Sequence, residues 1–354
     1  MKTLQDAIYG CIIGGAIGDS LGAATEGMYY QEIEKQYGQI ETLEYNPVYY
    51  TNHLPGSVTD DTQMRQLICK AITDKKGRIT PQDMANVLVK HLNPEKFWVS
   101  DVLAVERLKA GISPWQAGAG AISCGCACMG IAPVGIINMC DPEQAFQDGV
   151  CIAMVHNTGE NVEFAGAFAC AQAAAFMPGM TIDKMLSIMY EYSTEIVRRA
   201  FDMTWDLVEK SATLLEFRER YYEKMLDWTW PTPAGGWSTN HYFSGNAREF
   251  VPVIFAILHY TSDINQAMLD AANFGRDCDT IASMVGNIAG AIQGASCIRK
   301  DWIAQCESAN KDMFDFVYPG TNYSFKQTAQ DLLEAVRCEV DRKKKLADFT
   351  AALL

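Results

Sequence analysis

Asn273-Phe-Gly-Arg-Asp-Cys-Asp-Thr-Ile-Ala-Ser-Met-Val-Gly-Asn-Ile-Ala-Gly-Ala-Ile-Gln-Gly294 is the stretch from which the rest of the chain is read. Asp277, Asp279 and Thr280 crowd hard oxygen donors together at its start. Behind them Ala282, Gly286, Gly290 and Gly294 recur at helical spacing, which predicts a helix whose small-residue column lets another backbone come close. Oxygen donors at a helix start suit Mg²⁺, Mn²⁺ or Ca²⁺ better than Zn²⁺, which favours His and Cys. Plain capping accounts for the same aspartates, because Asp is a good N-cap and complements the helix dipole. Two other readings fail. An EF-hand loop would not place Ile281 two residues after Asp279 and would close on a bidentate Glu. A phosphatase Asp-x-Asp-x-Thr element would follow a β-branched strand, where Ala271-Ala-Asn-Phe-Gly-Arg276 stands instead.

A second glycine column lies near the other end of the chain. A helix over about residues 2–21 carries Gly10, Gly14 and Gly18, with Gly22 in register behind them. A four-residue spacing drifts by about 40° per step, so each column winds gently, and the two are expected to face one another. Asp19 and Glu26 then follow in Gly18-Asp-Ser-Leu-Gly-Ala-Ala-Thr-Glu-Gly27.

The second acidic cluster is Thr59-Asp60-Asp61-Thr62, which opens Ser57-Val-Thr-Asp-Asp-Thr-Gln-Met-Arg-Gln-Leu-Ile-Cys-Lys-Ala-Ile72. Thr59 is a natural N-cap, and Met64, Leu67, Ile68, Ala71 and Ile72 have helical spacing. Capping alone needs no function here either. If the two clusters meet, however, four carboxylates gather, and their mutual repulsion calls for cations.

The remaining pattern is helical throughout. Thr80-Pro81 starts a helix to about Leu92, Asp141-Pro142 one to about Val155, and Val162–Phe176 is an Ala-rich, centrally buried helix. Thr181 opens a run of helices reaching about Asp227. Others start near Glu249 and Ser262, and two near 299–309 and 324–342 close the chain. Residues 45–58, Pro114–Ser123 and Trp228–Trp237 read as loops, the last carrying three indoles that suit a lid, core packing or base stacking. With no alternating strand pattern, repeat or low-complexity linker, the expectation is an all-α chain forming a single domain over 1–354.

The 354 residues are 49% hydrophobic, yet no run of about 18 apolar residues suggests a membrane span. The formal charge of −14 argues against duplex nucleic acid as a partner, but not against a small anion held by a metal and backbone amides. Ala7–Gly18 has the look of a signal-peptide core, but Asp6 and the many glycines oppose it. Twelve scattered cysteines, several in apolar helices, fit a reduced cytoplasmic protein that uses Cys as a small hydrophobe. Cys124-Gly-Cys126-Ala-Cys128 has the makings of a soft-metal or redox cluster, but it lacks a second ligand pair, and small-residue packing in a loop is the expected account. Gly118 and Gly120 form a Gly-x-Gly that fits a phosphate approach or a plain turn. A lone His156 after a helix is usually a satisfied structural group.

With these residues in view, the chain resembles the ADP-ribosylglycohydrolases, typified by the hydrolase that releases ADP-ribose from dinitrogenase reductase. The Gly-Asp-x-Leu-Gly-x-x-x-Glu element is matched by Gly18, Asp19, Leu21, Gly22 and Glu26. Thr59 to Thr62 match Thr-Asp-Asp-Thr, and Gly275, Asp277, Asp279 and Thr280 match Gly-x-Asp-x-Asp-Thr. The resemblance implies an orthogonal helical bundle and two divalent cations, Mg²⁺ or Mn²⁺, on Thr59, Asp60, Asp61, Asp277, Asp279 and Thr280. It implies Glu26, Asp61 and Asp279 as catalytic candidates, and Gly118, Gly120 and His156 on the substrate. The expected substrate contains ADP-ribose, as a small molecule or on a modified protein. A nucleoside-like small-molecule hydrolase and a non-catalytic ADP-ribose binder are the other readings. Many members follow the glycine loop with Met-Arg and then Pro-x-Gly. Here the loop is longer and the Arg is missing, which bears on the substrate and leaves the acidic clusters untouched.

Overall fold

The computed structural model describes residues 2–43, 54–225 and 245–354. The indole-rich stretch Trp228–Trp237 lies outside the described residues, as does most of the first expected loop. The described elements are α1 (Leu4–Gly22), α2 (Tyr30–Tyr37), α3 (Asp60–Lys75), α4 (Pro81–His91), α5 (Val99–Lys109) and α6 (Cys126–Met129). They continue with α7 (Ala132–Ile137), α8 (Pro142–Ala153), α9 (Asn161–Ala174), α10 (Ile182–Tyr192), α11 (Glu195–Glu209) and α12 (Leu214–Met225). After them come α13 (Ala247–Tyr260), α14 (Ile264–Ala272), α15 (Cys278–Gln293), α16 (Lys300–Ala309), α17 (Lys311–Val317) and α18 (Phe325–Ala351). Among the described residues there is no strand, only an isolated antiparallel bridge between Tyr29 and Gly275. The fold is all-α, as the sequence pattern requires.

The strongest starts obey the cap chemistry. Thr59 Oγ1 accepts the Asp61 amide at 3.3 Å, and Thr80 and Asp83 cap each other reciprocally ahead of Pro81. Other elements escape sequence reading for a physical reason. α5 starts at Trp98 with no side-chain cap, while α6 and α7 are too short to show a period. The cysteine stretch, expected as a loop, therefore holds a helical turn. The last helix also runs on to Ala351, well past the expected end.

The centre of the molecule is the pair α1 and α15. A Cβ built on Gly14 would sit 2.6 Å from the Gly286 carbonyl oxygen, and one on Gly290 would sit 2.0 Å from that of Gly10. Gly18 meets the Ala282 carbonyl in the same way, so the two small-residue columns face each other backbone to backbone. Both helices are buried along nearly their whole length. α3, α14, α16 and α18 pack around α1, while α9 and α13 pack against α15. No helix among the described residues is long and apolar enough to cross a membrane.

Candidate active site

Close approach of α1 and α15 brings their functional ends together. Asp19, in the last turns of α1, is fully buried and accepts the Thr59 and Thr62 amides at 3.0 Å each. A carboxylate from the first helix thus caps the third, and that cap fixes where Asp60 and Asp61 stand. Arg65, also fully buried, ties α3 to α15 through Ser283 Oγ (2.9 Å) and Asn287 Oδ1 (2.8 Å), and it also reaches the Thr62 hydroxyl. Asn287 in turn donates to the Cys11 carbonyl at 2.7 Å, closing a junction of three helices.

The second motif is held by a local distortion. Gly275 and Arg276 both adopt positive φ (89° and 70°), and Arg276 bears a side chain that disfavours this region. Two reciprocal backbone hydrogen bonds pin the turn to the segment after Glu26: Arg276 N–H to the Met28 carbonyl (2.6 Å) and Gly27 N–H to the Arg276 carbonyl (2.7 Å). The buried Arg276 guanidinium forms a doubly hydrogen-bonded ion pair with Glu249 at 2.6 and 3.0 Å. This clamp sets Asp277 and Asp279 beside Glu26.

The carboxylates brought together press on one another electrostatically. Burial, then the charges of Asp279, Asp60 and Asp19, hold the Glu26 carboxyl well above the usual carboxylate range. Asp61 is pushed up by burial and then by Asp279, Asp19 and Asp60. Asp277 is raised by burial, Asp61 and Glu26, and Asp279 by burial, Asp277, Asp19 and Asp60. The Thr280 hydroxyl offsets part of this at Asp61 and Asp277. Asp61 Oδ1 and Asp279 Oδ1 are buried and have no hydrogen-bond partner. Buried, unpartnered carboxylate oxygens among like charges are costly unless a cation or proton meets them. The donor set is all oxygen and fits Mg²⁺ or Mn²⁺. Among the described residues, no three Asp, Glu, His or Cys side chains form a ready-made cation cage. Bound ions would therefore also take hydroxyl and water oxygens, as Mg²⁺ commonly does.

The structure assembles Glu26, Thr59, Asp60, Asp61, Asp277, Asp279 and Thr280 as a group. It places the other expected residues differently. Gly118 is buried, and a Cβ there would strike the Asn157 and Met154 carbonyls at 2.2 and 2.5 Å, so close backbone packing requires glycine. Gly120 is exposed at positive φ (81°). The Cys126 thiol is pushed up first by its contact with Cys124 and by burial, then by Asp101 and Asp60, and the Cys128 thiol by burial, Cys124 and Asp277. His156 is buried, with Nδ1 2.6 Å from Asp101 Oδ1. Sequence reasoning missed Arg65, Asp101, Glu249 and Arg276, and it noted Asp19 without its capping role. A charged residue inside an apolar helical run, as at Arg65, was the available signal.

A family model described as ADP-ribosylglycohydrolase matches residues 1–339. The chain belongs to that family. It is accordingly a hydrolase of the glycosidase type. Among curated proteins, this ADP-ribosylglycohydrolase is 26% identical over 292 residues to an uncharacterised protein of Archaeoglobus fulgidus, covering 81% of this chain and 88% of the relative. It is 23% identical over 336 residues to the uncharacterised protein YegU of Escherichia coli K12, covering 88% and 94%. A solved structure described as an ADP-ribosylglycohydrolase-related protein complex superposes with a TM-score of 0.67 at 19% identity, covering 96% of this chain and 99% of that one. At that identity the likeness speaks for the fold.

Proposed function

We propose that this ADP-ribosylglycohydrolase hydrolyses a ribosyl bond of an ADP-ribose-containing substrate with two divalent cations, Mg²⁺ or Mn²⁺. The observation that carries this reading is the meeting of two acidic motifs far apart in sequence, with Asp61 Oδ1 and Asp279 Oδ1 left unpartnered. Thr59, Asp60, Asp61, Asp277, Asp279 and Thr280 would hold the ions. When bound, these supply Lewis-acid fixation of neighbouring ribose hydroxyls. The reading takes the chain as one domain, because both motifs stand on helices packed against α1.

Ribosyl cleavage passes through an oxocarbenium-like centre, which surrounding carboxylates stabilise. Glu26 is half-buried at the edge of the cluster, and its raised carboxyl suits proton transfer at the reacting bond. Asp61 and Asp279 are the other candidates for orienting and deprotonating water. Of the loop glycines, Gly120 is exposed and stays the candidate for substrate contact, while Gly118 is packed against the Asn157 and Met154 carbonyls. His156 presents a buried, unpartnered Nε2.

A turnover panel with Mg²⁺ or Mn²⁺ tests the reading. ADP-ribosyl-arginine, ADP-ribosyl-serine, ADP-ribose 1″-phosphate, O-acetyl-ADP-ribose and simple nucleosides form the panel. Release of ADP-ribose that stops on chelation is expected. Turnover of nucleosides alone would replace the reading with a nucleoside hydrolase, and metal-dependent ADP-ribose binding without turnover would make the chain a binder.

A further inference from the structure

Glu26 and the Asp277 turn stand on segments far apart in sequence that meet along a short seam. Its core is the bridge between Tyr29 and Gly275, with the Gly27 and Arg276 amides bonded across it. A side chain from a third element enters this seam. Tyr222, in the last turn of α12, is buried, and its hydroxyl donates to the Phe274 carbonyl at 2.8 Å. The same oxygen accepts the Tyr30 amide at 3.3 Å. A phenol has one proton to give and lone pairs with which to accept, so both bonds stand together.

The surroundings hold that hydroxyl in place. The Tyr29 and Tyr30 rings meet the Tyr222 ring edge-on, with centroids 5.6 and 4.9 Å away, and so fix its plane. Arg218, one turn earlier on α12, lies 4.0 Å from the Tyr30 ring centroid and donates to the Asn273 carbonyl at 3.0 Å. A Cβ built on Gly275 would sit 2.2 Å from the Tyr222 oxygen, so the turn closes directly onto the hydroxyl and only glycine leaves it room. Burial pushes the phenol well above its usual range, so it keeps the proton it donates.

We propose that Tyr222 is a positioning residue: its hydroxyl sets the spacing between the Glu26 segment and the turn that bears Asp277 and Asp279. Both of its bonds go to backbone, one on each side of the seam, so it acts through the segments it joins. Without the hydroxyl, a buried carbonyl and an amide lose their common partner, and the seam relaxes to find others. Glu26 then shifts against the acids that face it. The inference rests on the proposed reading of this site as a metal-dependent glycohydrolase.

Tyr222→Phe removes the hydroxyl and keeps the ring. In the full-length protein with saturating Mg²⁺, kcat on the best panel substrate should fall on the order of 10- to 100-fold with KM nearly unchanged, as misplaced reacting groups do. Tyr260→Phe is the comparison, because it deletes a hydroxyl bonded to the Val208 and Ser211 carbonyls at 3.0 Å each, at the end of α13 away from Glu249. It should melt lower, as Tyr222→Phe does, yet keep its kcat. An intact kcat in Tyr222→Phe, an equal loss in Tyr260→Phe, or a change confined to KM would overturn the proposal. Amide hydrogen exchange, followed by nuclear magnetic resonance, provides the second arm. The Tyr30 amide loses its partner in any event, so the Gly27 and Arg276 amides, which bond across the seam and not to the hydroxyl, are the ones to read. Their exchange should quicken about 10-fold in Tyr222→Phe and not in Tyr260→Phe. Unchanged exchange at both amides overturns the proposal whatever the kinetics. If no panel substrate turns over, the activity reading fails on its own and this arm decides: faster exchange supports the spacing role, and unchanged exchange reduces Tyr222 to packing.

Discussion

Asp19 Oδ1 lies 3.0 Å from the Thr59 amide nitrogen and accepts its hydrogen bond, so the first helix sets the height of the third. The other oxygen does the same for Thr62 at 3.0 Å. Asp19→Ala should cost on the order of 1–3 kcal/mol in urea unfolding of chelated protein, the usual penalty for stranding buried amides. Cation affinity should fall as well, because Asp60 and Asp61 lose their register. Unchanged affinity by calorimetry would separate the cap from the site.

Asp60→Asn and Asp277→Asn each remove one negative charge from the crowded cluster. Turnover should drop roughly 100- to 1000-fold, with helical circular dichroism preserved. Metal-free Asp277→Asn should melt a few degrees higher than metal-free wild type, because burial, Asp61 and Glu26 all disfavour its charge. If both variants keep wild-type turnover, and chelation leaves it unchanged too, these clusters serve only as helix caps.

The raised carboxyls fix the sign of a pH effect. Glu26, Asp61, Asp277 and Asp279 all hold protons more tightly folded than unfolded. The folded state is thus favoured while they stay protonated, fully so below the unfolded value of about 4, and loses that advantage as pH rises through the folded values. Chelated protein should therefore melt at a falling temperature as pH is raised from mildly acidic to alkaline. Saturating Mg²⁺ should flatten or reverse the slope, since cations bind the deprotonated folded form. Scanning calorimetry with and without chelator reads this directly.

Glu249→Gln tests the clamp behind the Asp277 turn. Leaving the buried Arg276 guanidinium without its carboxylate should cost about 3–5 kcal/mol, visible as a lower denaturation midpoint. Substrate turnover at low temperature should also fall, because Arg276 bridges the Asp277 turn to the segment after Glu26.

Much of this was legible in the chain because the signals are local. Thr59, Thr80 and Asp141 announce their helices through cap chemistry, and the glycine spacing of α1 and α15 anticipates the facing columns. The acidic residues were legible because their meeting demands an explanation that capping does not give. Asp19 as a remote cap, Arg65 at the three-helix junction and the Arg276–Glu249 pair were not. Each draws its meaning from a partner far away in sequence, and no periodicity records such a partner. The glycine loop was ambiguous for a related reason: Gly-x-Gly fits a phosphate approach or a turn, and the close packing of Gly118 against the Asn157 and Met154 carbonyls leaves no local trace in the sequence.

The mating of α1 with α15 also dictates when this molecule can come into being. Its first helix leaves the ribosome apolar on every side, while the groove that receives it has yet to be synthesised. At ordinary translation speeds the nascent segment waits tens of seconds for α15 to emerge. Contacts between such distant parts form slowly, and an exposed glycine-rich apolar helix is prone to sticking meanwhile. Truncation before Cys278 therefore removes more than one helix: it leaves α1 without a mate, and the amino-terminal portion should need a chaperone to stay in solution.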